Sequence, residues 1–143
     1  THAASEAVDA CVANAELLAD AIERRSTSEA LSPAHSDWSG AIAEIMAGSW
    51  RGKPRHQIRA SGYVAHSLEA SLWSVGRSSS FADAILLAAN LGEDADTTAA
   101  ITGQLAGALH GASCIPLTWL DKLTWRARIA GLAGALFDAA LQS

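Results

Sequence analysis

The sequence predicts an all-α fold, a compact helical bundle of roughly six helices joined by short loops. Three observations predict it. Apolar residues recur at i, i+3, i+4 and i+7 over most of the chain. The segments that carry this period run for about a dozen residues or longer and are punctuated by glycines and by Ser or Asp at capping positions. No segment shows the period-two alternation of a half-buried strand, and no repeat of solenoid length runs through the chain.

The first helix is expected from Ala3 to Arg25, with Val8, Cys11, Val12, Ala15, Leu18, Ala19 and Ile22 on its core face and Leu17 to one side. Residues 26–36 read as a loop. A shorter helix follows, capped by Asp37, burying Trp38, Ile42, Ile45 and Met46 and ending at Gly48. Residues 49–60 carry Arg51, Lys53, Arg55 and Arg59 beside Gly52 and Pro54 without a sustained period, and read as a basic loop with solvated charges. The other use for Arg51, Lys53 or Arg55 is to receive a pyrophosphate.

Ser61 and Gly62 open a helix that carries Val64, Leu68, Leu72 and Trp73 and closes at Gly76. Glu69, mid-helix between Leu68 and Leu72, is read as a polar contact at the core edge rather than a general base. Ser80 and Asp83 have capping-box spacing at the head of the next helix, which runs to Asn90. The helix from Thr97 to His110 follows, with Gly103, Gly107 and Gly111 on one face. Glycine costs about 1 kcal/mol against alanine in a helix interior, so this face is expected to admit a closely packed neighbour. Thr118 and Asp121 form a second capping box, opening a last helix with Trp125, Ile129, Leu132, Leu136 and Phe137 inward.

With 143 residues, half of them hydrophobic, the chain suffices for a single all-helical region, 1–143, with its own core. A net charge of −5 and a pI near 5.4 argue against general attraction to nucleic acid. Cys11 and Cys114 lack metal-site spacing and read as buried thiols in a reducing compartment, so the expected location is cytoplasmic. No secretory leader is visible. The apolar stretch 97–117 is interrupted by Gln104, His110 and Pro116, which favours a core helix over a membrane span. His66 and His110 read as packing or surface residues, and His35 and His56 as loop residues without a role.

The chemistry concentrates at Asp94-Ala95-Asp96-Thr97, directly after Gly92 and at the mouth of the small-residue helix. Two carboxylates one residue apart repel unless something positive neutralises them. A helix N-terminus supplies part of that potential and a divalent cation most of it. Oxygen-only donors favour Mg²⁺ or Mn²⁺, and the turn lacks the ligand spacing of a twelve-residue calcium loop. Three oxygens leave a shell of about six incomplete, so further ligands must come from elsewhere. The spacing leaves a second reading open, in which one Asp caps the helix and the other is solvated.

The chain resembles the ADP-ribosylglycohydrolase family in an ordered set of motifs. These are Ser61-Gly62-Tyr63-Val64, Ser67-Leu68-Glu69-Ala70-Ser71-Leu72-Trp73, Asn90-Leu91-Gly92-Glu93-Asp94-Ala95-Asp96-Thr97-Thr98-Ala99-Ala100-Ile101, Gly103-Gln104-Leu105-Ala106-Gly107-Ala108, Ile115-Pro116 and Trp119-Leu120. Thr1-His2 also resembles the Thr-His that opens a helix midway through such proteins. The resemblance implies an all-helical fold and a site for two divalent cations, Mg²⁺ or Mn²⁺, with Asp94, Asp96 and Thr97 as ligands and Asp96 touching both ions. It implies that His2 and Tyr63 lie beside the ADP-ribosyl group. It further implies hydrolysis of the glycosidic bond of ADP-ribosyl groups on protein side chains or related compounds, by way of an oxocarbenium-like centre.

Glu93 stands where the family often carries Gly. The chain departs from the family pattern in lacking the Gly-Asp element and the Thr-Asp-Asp-Thr type cluster, which supply the remaining ligands and the catalytic acid. It is therefore expected to be the C-terminal half of a larger domain, with the missing N-terminal half as its partner, and to be inactive alone. The competing expectations are a non-catalytic relative like the lens crystallin of this fold, and a helical interaction module whose acidic turn is only a cap.

Overall fold

The structure is a computed structural model that describes residues 4–23, 26–32 and 38–142. Along the chain run α1 (Ser5–Ile22), α2 (Thr27–Ala30), α3 (Gly40–Met46), a 3₁₀ turn at Arg55–Gln57, and α4 (Val64–Gly76). Then come α5 (Phe81–Ala89), α6 (Ala95–His110), a 3₁₀ turn at Ala112–Cys114, α7 (Leu117–Leu120) and α8 (Arg126–Ala140). Among the described residues there is no strand, so the all-α expectation holds, with eight helices rather than six.

The centre of the bundle is α4, in which every residue from Ser67 to Val75 is buried. A helix covered on all sides must lie at the core, and α1, α3, α5 and α6 all pack against this one. Its small residues Ala65, Ser67, Ala70, Ser71 and Ser74 alternate with Leu68, Leu72 and Trp73, which leaves room for neighbours on several faces. α5 and α6 form an adjacent pair, with α6 reaching across to α1. Ser80 caps α5 by accepting the Asp83 amide at 3.1 Å, and its hydroxyl donates to the Asp83 carboxylate at 2.7 Å. The Ser80 and Asp83 side chains thus bond each other in place of the reciprocal backbone bond of a full capping box.

Several expectations are corrected. α1 buries Ala10, Ala13, Leu17 and Ala21, with Leu18 partly buried against the core as expected, while Val8, Cys11, Val12 and Ile22 are exposed. The small side chains let α1 approach α4 and α6, and closeness rather than side-chain size decides which face goes inward. Cys11 and Cys114 are both exposed, not buried thiols. α3 starts at Gly40, where the Ser39 hydroxyl donates to Asp9 and accepts no bond from the helix; the expected Asp37 cap lies outside the described residues. Ile42 and Ile45 are buried as expected, with Trp38 and Met46 partly so. The glycine face of α6 is less tight than expected: a methyl group at Gly103 would meet Ile85 at 3.5 Å, an ordinary contact.

The tightest approach is at Gly76, where any Cβ would collide with the Trp50 ring. That ring, 6% exposed, belongs to the segment read as a solvated basic loop. Each Arg and Lys of this segment has an internal partner. Arg51 donates to Leu31 O at 3.0 Å and Ser32 Oγ at 2.8 Å. Lys53 pairs with Glu69 at 2.6 Å, Arg55 donates to Asn90 O and Leu91 O, and Arg59 pairs with Glu93 at 3.4 Å. The charges therefore pin the segment to the bundle, although Arg51, Arg55 and Arg59 remain exposed.

The last helix departs most. Thr118 makes no cap, α7 stops at Leu120, and Trp125 takes a left-handed conformation (φ 61°) before α8 begins. Residues 121–142 are all exposed, and Trp125, Ile129, Leu132, Leu136 and Phe137 face outward rather than inward. The apolar period was legible, but no described element covers it.

Candidate metal centre

The acidic turn is held from its backbone. Arg55 clasps the carbonyls of Asn90 (3.2 Å) and Leu91, just past the end of α5. Gly92 follows with φ of +80°, a conformation glycine adopts freely, and Glu93 with φ of +56°, which costs a side-chain-bearing residue about 1–2 kcal/mol. Arg59 draws the Glu93 carboxylate to itself, and the Asp94 amide donates to Ala60 O at 2.8 Å. The 55–60 segment thereby fixes where α6 starts.

Asp94 occupies the N-cap position of α6, yet its side chain makes no capping bond to the helix. Its Oδ1 instead accepts from Thr97 Oγ1 at 2.9 Å. On its other side, a Cβ at Gly62 would stand 3.7 Å from Asp94 Oδ2, so the Gly62-Tyr63 turn lies against the same carboxylate. The Asp96 side chain, exposed in the first turn, has no hydrogen bond or ion pair among the described residues. Asp94, Asp96 and Thr97 thus gather at the positive end of a helix of 16 residues.

Tyr63 follows Gly62 in the turn that lies against Asp94 and is 43% exposed. Its hydroxyl donates to Glu6 on α1, and its ring meets His66 edge-on at 5.0 Å. The hydrogen bond to Glu6, assisted by slight desolvation and by the Glu6 charge, raises the phenol pKa above 10.0. Ser61 and His66 Nδ1 lie 2.7 Å apart, bracing the same turn. His2 lies outside the described residues. Glu69 is buried against Lys53 inside the bundle, the core-edge polar contact expected for it.

In donor type the turn suits a hard divalent cation: two carboxylates, a hydroxyl and no nitrogen or sulfur. In number it falls short, since among the described residues no group of three or more His, Cys, Asp or Glu side chains converges to hold an ion. The turn fits one side of a metal centre. Sequence reasoning missed Glu6, which lies 57 positions from Tyr63 and carries no local signal. It also missed the anchoring use of Arg55 and Ala60.

The fold and the turn define a class, an all-α protein that presents oxygen donors at one helix mouth. The family model for ADP-ribosylglycohydrolase matches residues 1–143, and the chain belongs to that family. It is 49% identical over 142 residues to the ADP-ribosylarginine hydrolase Tri1 of Pseudomonas putida (strain GB-1), covering 99% of this chain and 38% of that protein. It is 47% identical over 137 residues to the ADP-ribosylarginine hydrolase Tri1 of Serratia proteamaculans (strain 568), covering 96% of this chain and 37% of the relative. A solved ADP-ribosylglycohydrolase-related protein complex superposes with a TM-score of 0.89 at 36% identity, over 96% of this chain and 49% of the other. The chain therefore spans well under half the length of these curated relatives.

Proposed function

We propose that this chain is the C-terminal half of a hydrolase that cleaves the glycosidic bond of ADP-ribosyl groups, and that Asp94, Asp96 and Thr97 are its share of a site for two Mg²⁺ or Mn²⁺ ions. The observation that carries this reading is the Asp94 side chain, which declines the capping bond open to it and turns toward Thr97 and Gly62. An acid whose only work was to cap would accept a backbone N–H of the first turn. When bound, the cations supply Lewis-acid polarisation and orient ribose hydroxyls and water at the anomeric carbon. Asp94, Asp96 and Thr97 hold them, and Tyr63, held by Glu6, flanks the sugar with His2 as its counterpart. ADP-ribosylarginine on a protein is the substrate to test first, because two similar relatives carry it in their names.

The missing ligands come from the N-terminal half of the same fold, and the bare apolar strip of α8 is part of the surface that meets it. The cytoplasm, where protein acceptors are made, is the proposed compartment; no helix among the described residues is long and apolar enough to cross a membrane.

Calorimetric titration of Mn²⁺ tests the reading, using the chain alone and joined to the N-terminal half of the Pseudomonas putida relative. The joined protein is expected to bind Mn²⁺ at least about tenfold more tightly than the chain alone, to lose that gain in Asp96→Ala, and to release ADP-ribose from an ADP-ribosylarginine peptide. Equal affinity in Asp96→Ala removes the metal assignment. Tight Mn²⁺ binding without turnover favours a non-catalytic relative.

A further inference from the structure

We propose that the cavity between the 50–52 segment and the C-terminal end of α4 binds a small aromatic phosphate. The cavity measures about 480 Å³, a size suited to a single-ring or double-ring ligand, and Trp50, Trp73, Leu31, Arg51 and Arg77 form most of its lining. Its floor is rigid. Trp50, 6% exposed, is seated on the bare backbone of Gly76, and Trp73, 3% exposed, donates its indole N–H to Lys53 O at 2.8 Å.

Each indole carries a guanidinium. Arg51 lies 5.0 Å from the Trp50 ring centre and Arg77 lies 5.2 Å from that of Trp73. Arg51 is locked further by its bonds to Leu31 O and Ser32 Oγ, whereas the Arg77 side chain has no hydrogen bond or ion pair among the described residues beyond its contact with the Trp73 ring. Arg77 on its indole keeps its N–H edge free, while Arg51 spends its Nη2 on Leu31 and Ser32 and offers its charge and remaining N–H groups. Among the described residues no acidic side chain lines the cavity, although the molecule as a whole carries a net charge of −5. Two fixed positive charges are balanced by a phosphate dianion and only half balanced by a carboxylate. Leu31 and the two tryptophans leave the remaining wall apolar, which suits an aromatic body.

This cavity is separate from the acidic turn. Trp73 and Tyr63 stand ten positions apart on and before α4, about 15 Å along its axis. Occupancy of one can therefore fail without touching the other.

The test is a titration of the ¹⁵N-labelled chain with phenyl phosphate, followed through the indole N–H resonances of its five tryptophans. Trp50 and Trp73 are expected to shift on one saturable curve while Trp38, Trp119 and Trp125 stay in place. Inorganic phosphate and phenol, each carrying half of the ligand, are expected to bind more weakly than phenyl phosphate. Arg77→Gln removes an exposed side chain and is expected to weaken binding by about tenfold or more, with the undisturbed Trp38 and Trp119 signals reporting an intact fold. Arg77→Lys is expected to recover part of that loss. Absence of a saturable shift at Trp50 and Trp73 up to about 10 mM ligand overturns the proposal. Unchanged affinity in Arg77→Gln, or saturation by phenol alone, overturns it equally.

Discussion

Replacing Lys53 by Met should destabilise the fold far more than replacing its partner Glu69 by Gln. The pair is close, 2.6 Å from Nζ to Oε1, but its two ends are unequally buried, with side-chain exposures of 31% for Lys53 and 10% for Glu69. Losing one partner of a fully buried pair costs about 3–5 kcal/mol, because the remaining charge is stranded. Lys53→Met strands the Glu69 carboxylate inside the bundle, and the water that reaches the partly open Lys53 position reduces that cost to about 2–3 kcal/mol. Glu69→Gln leaves an ammonium on a flexible stem that can swing into water, for a cost of about 1 kcal/mol. The double variant Lys53→Met with Glu69→Leu, which strands no charge, should return to within about 1 kcal/mol of the parent. Urea unfolding followed by tryptophan fluorescence and far-ultraviolet circular dichroism measures all three. With a slope of about 1.5 kcal/mol per molar urea, Lys53→Met should lower the midpoint by roughly 1.5 M. Equal losses for the two single variants, or a loss below about 0.5 kcal/mol for Lys53→Met, would refute the unequal-burial argument.

Tyr63 is the only tyrosine, so absorbance at the tyrosinate band titrates it directly. Its midpoint should lie above 10.0 and fall back toward that value in Glu6→Gln. Because the folded phenol holds its proton more firmly, the stabilisation from this contact is complete below pH 10 and is lost as pH rises through the raised pKa; a midpoint unmoved by Glu6→Gln contradicts this. Arg55→Met removes two charge-assisted bonds to the carbonyls before the acidic turn, and should loosen the turn by about 1–2 kcal/mol. Hydrogen exchange at the Asp94 amide, bonded to Ala60 O, should then quicken by about tenfold, and an unchanged rate would show that the turn holds itself.

The helices were legible because a 3.6-residue period and glycine punctuation are written locally. α4, α5 and α6 fall within three residues of their expected ends. Facing was less legible. In α1 Val8, Val12 and Ile22 marked the wrong side, since the depth of a helix is set by how closely its neighbour approaches, and Ala10, Ala13 and Ala21 permit that approach. In α8 the stripe was correctly read and its direction was not, because a sequence records that a face is apolar without recording what covers it. The acidic turn was visible from spacing alone, whereas its anchors Arg55 and Ala60 act over 34 to 36 positions and Glu6 reaches Tyr63 over 57, and none leaves a pattern. Arg51, Lys53 and Arg55 looked like a solvated run because counting charges cannot distinguish free ones from those already engaged within the bundle.

The outward strip on α8 also governs how the polypeptide behaves in a tube. Trp125, Ile129, Leu132 and Leu136 repeat along one side of a rod of 15 residues, a ridge that two molecules can bury together when nothing else is on offer. Salting-out conditions will drive such molecules into clusters, while the single indole of Trp125 on that ridge supplies an emission signal that shifts to the blue as they form. Handling at low concentration, or with the ridge shielded, will decide whether the metal and ligand titrations report on one molecule or on an aggregate.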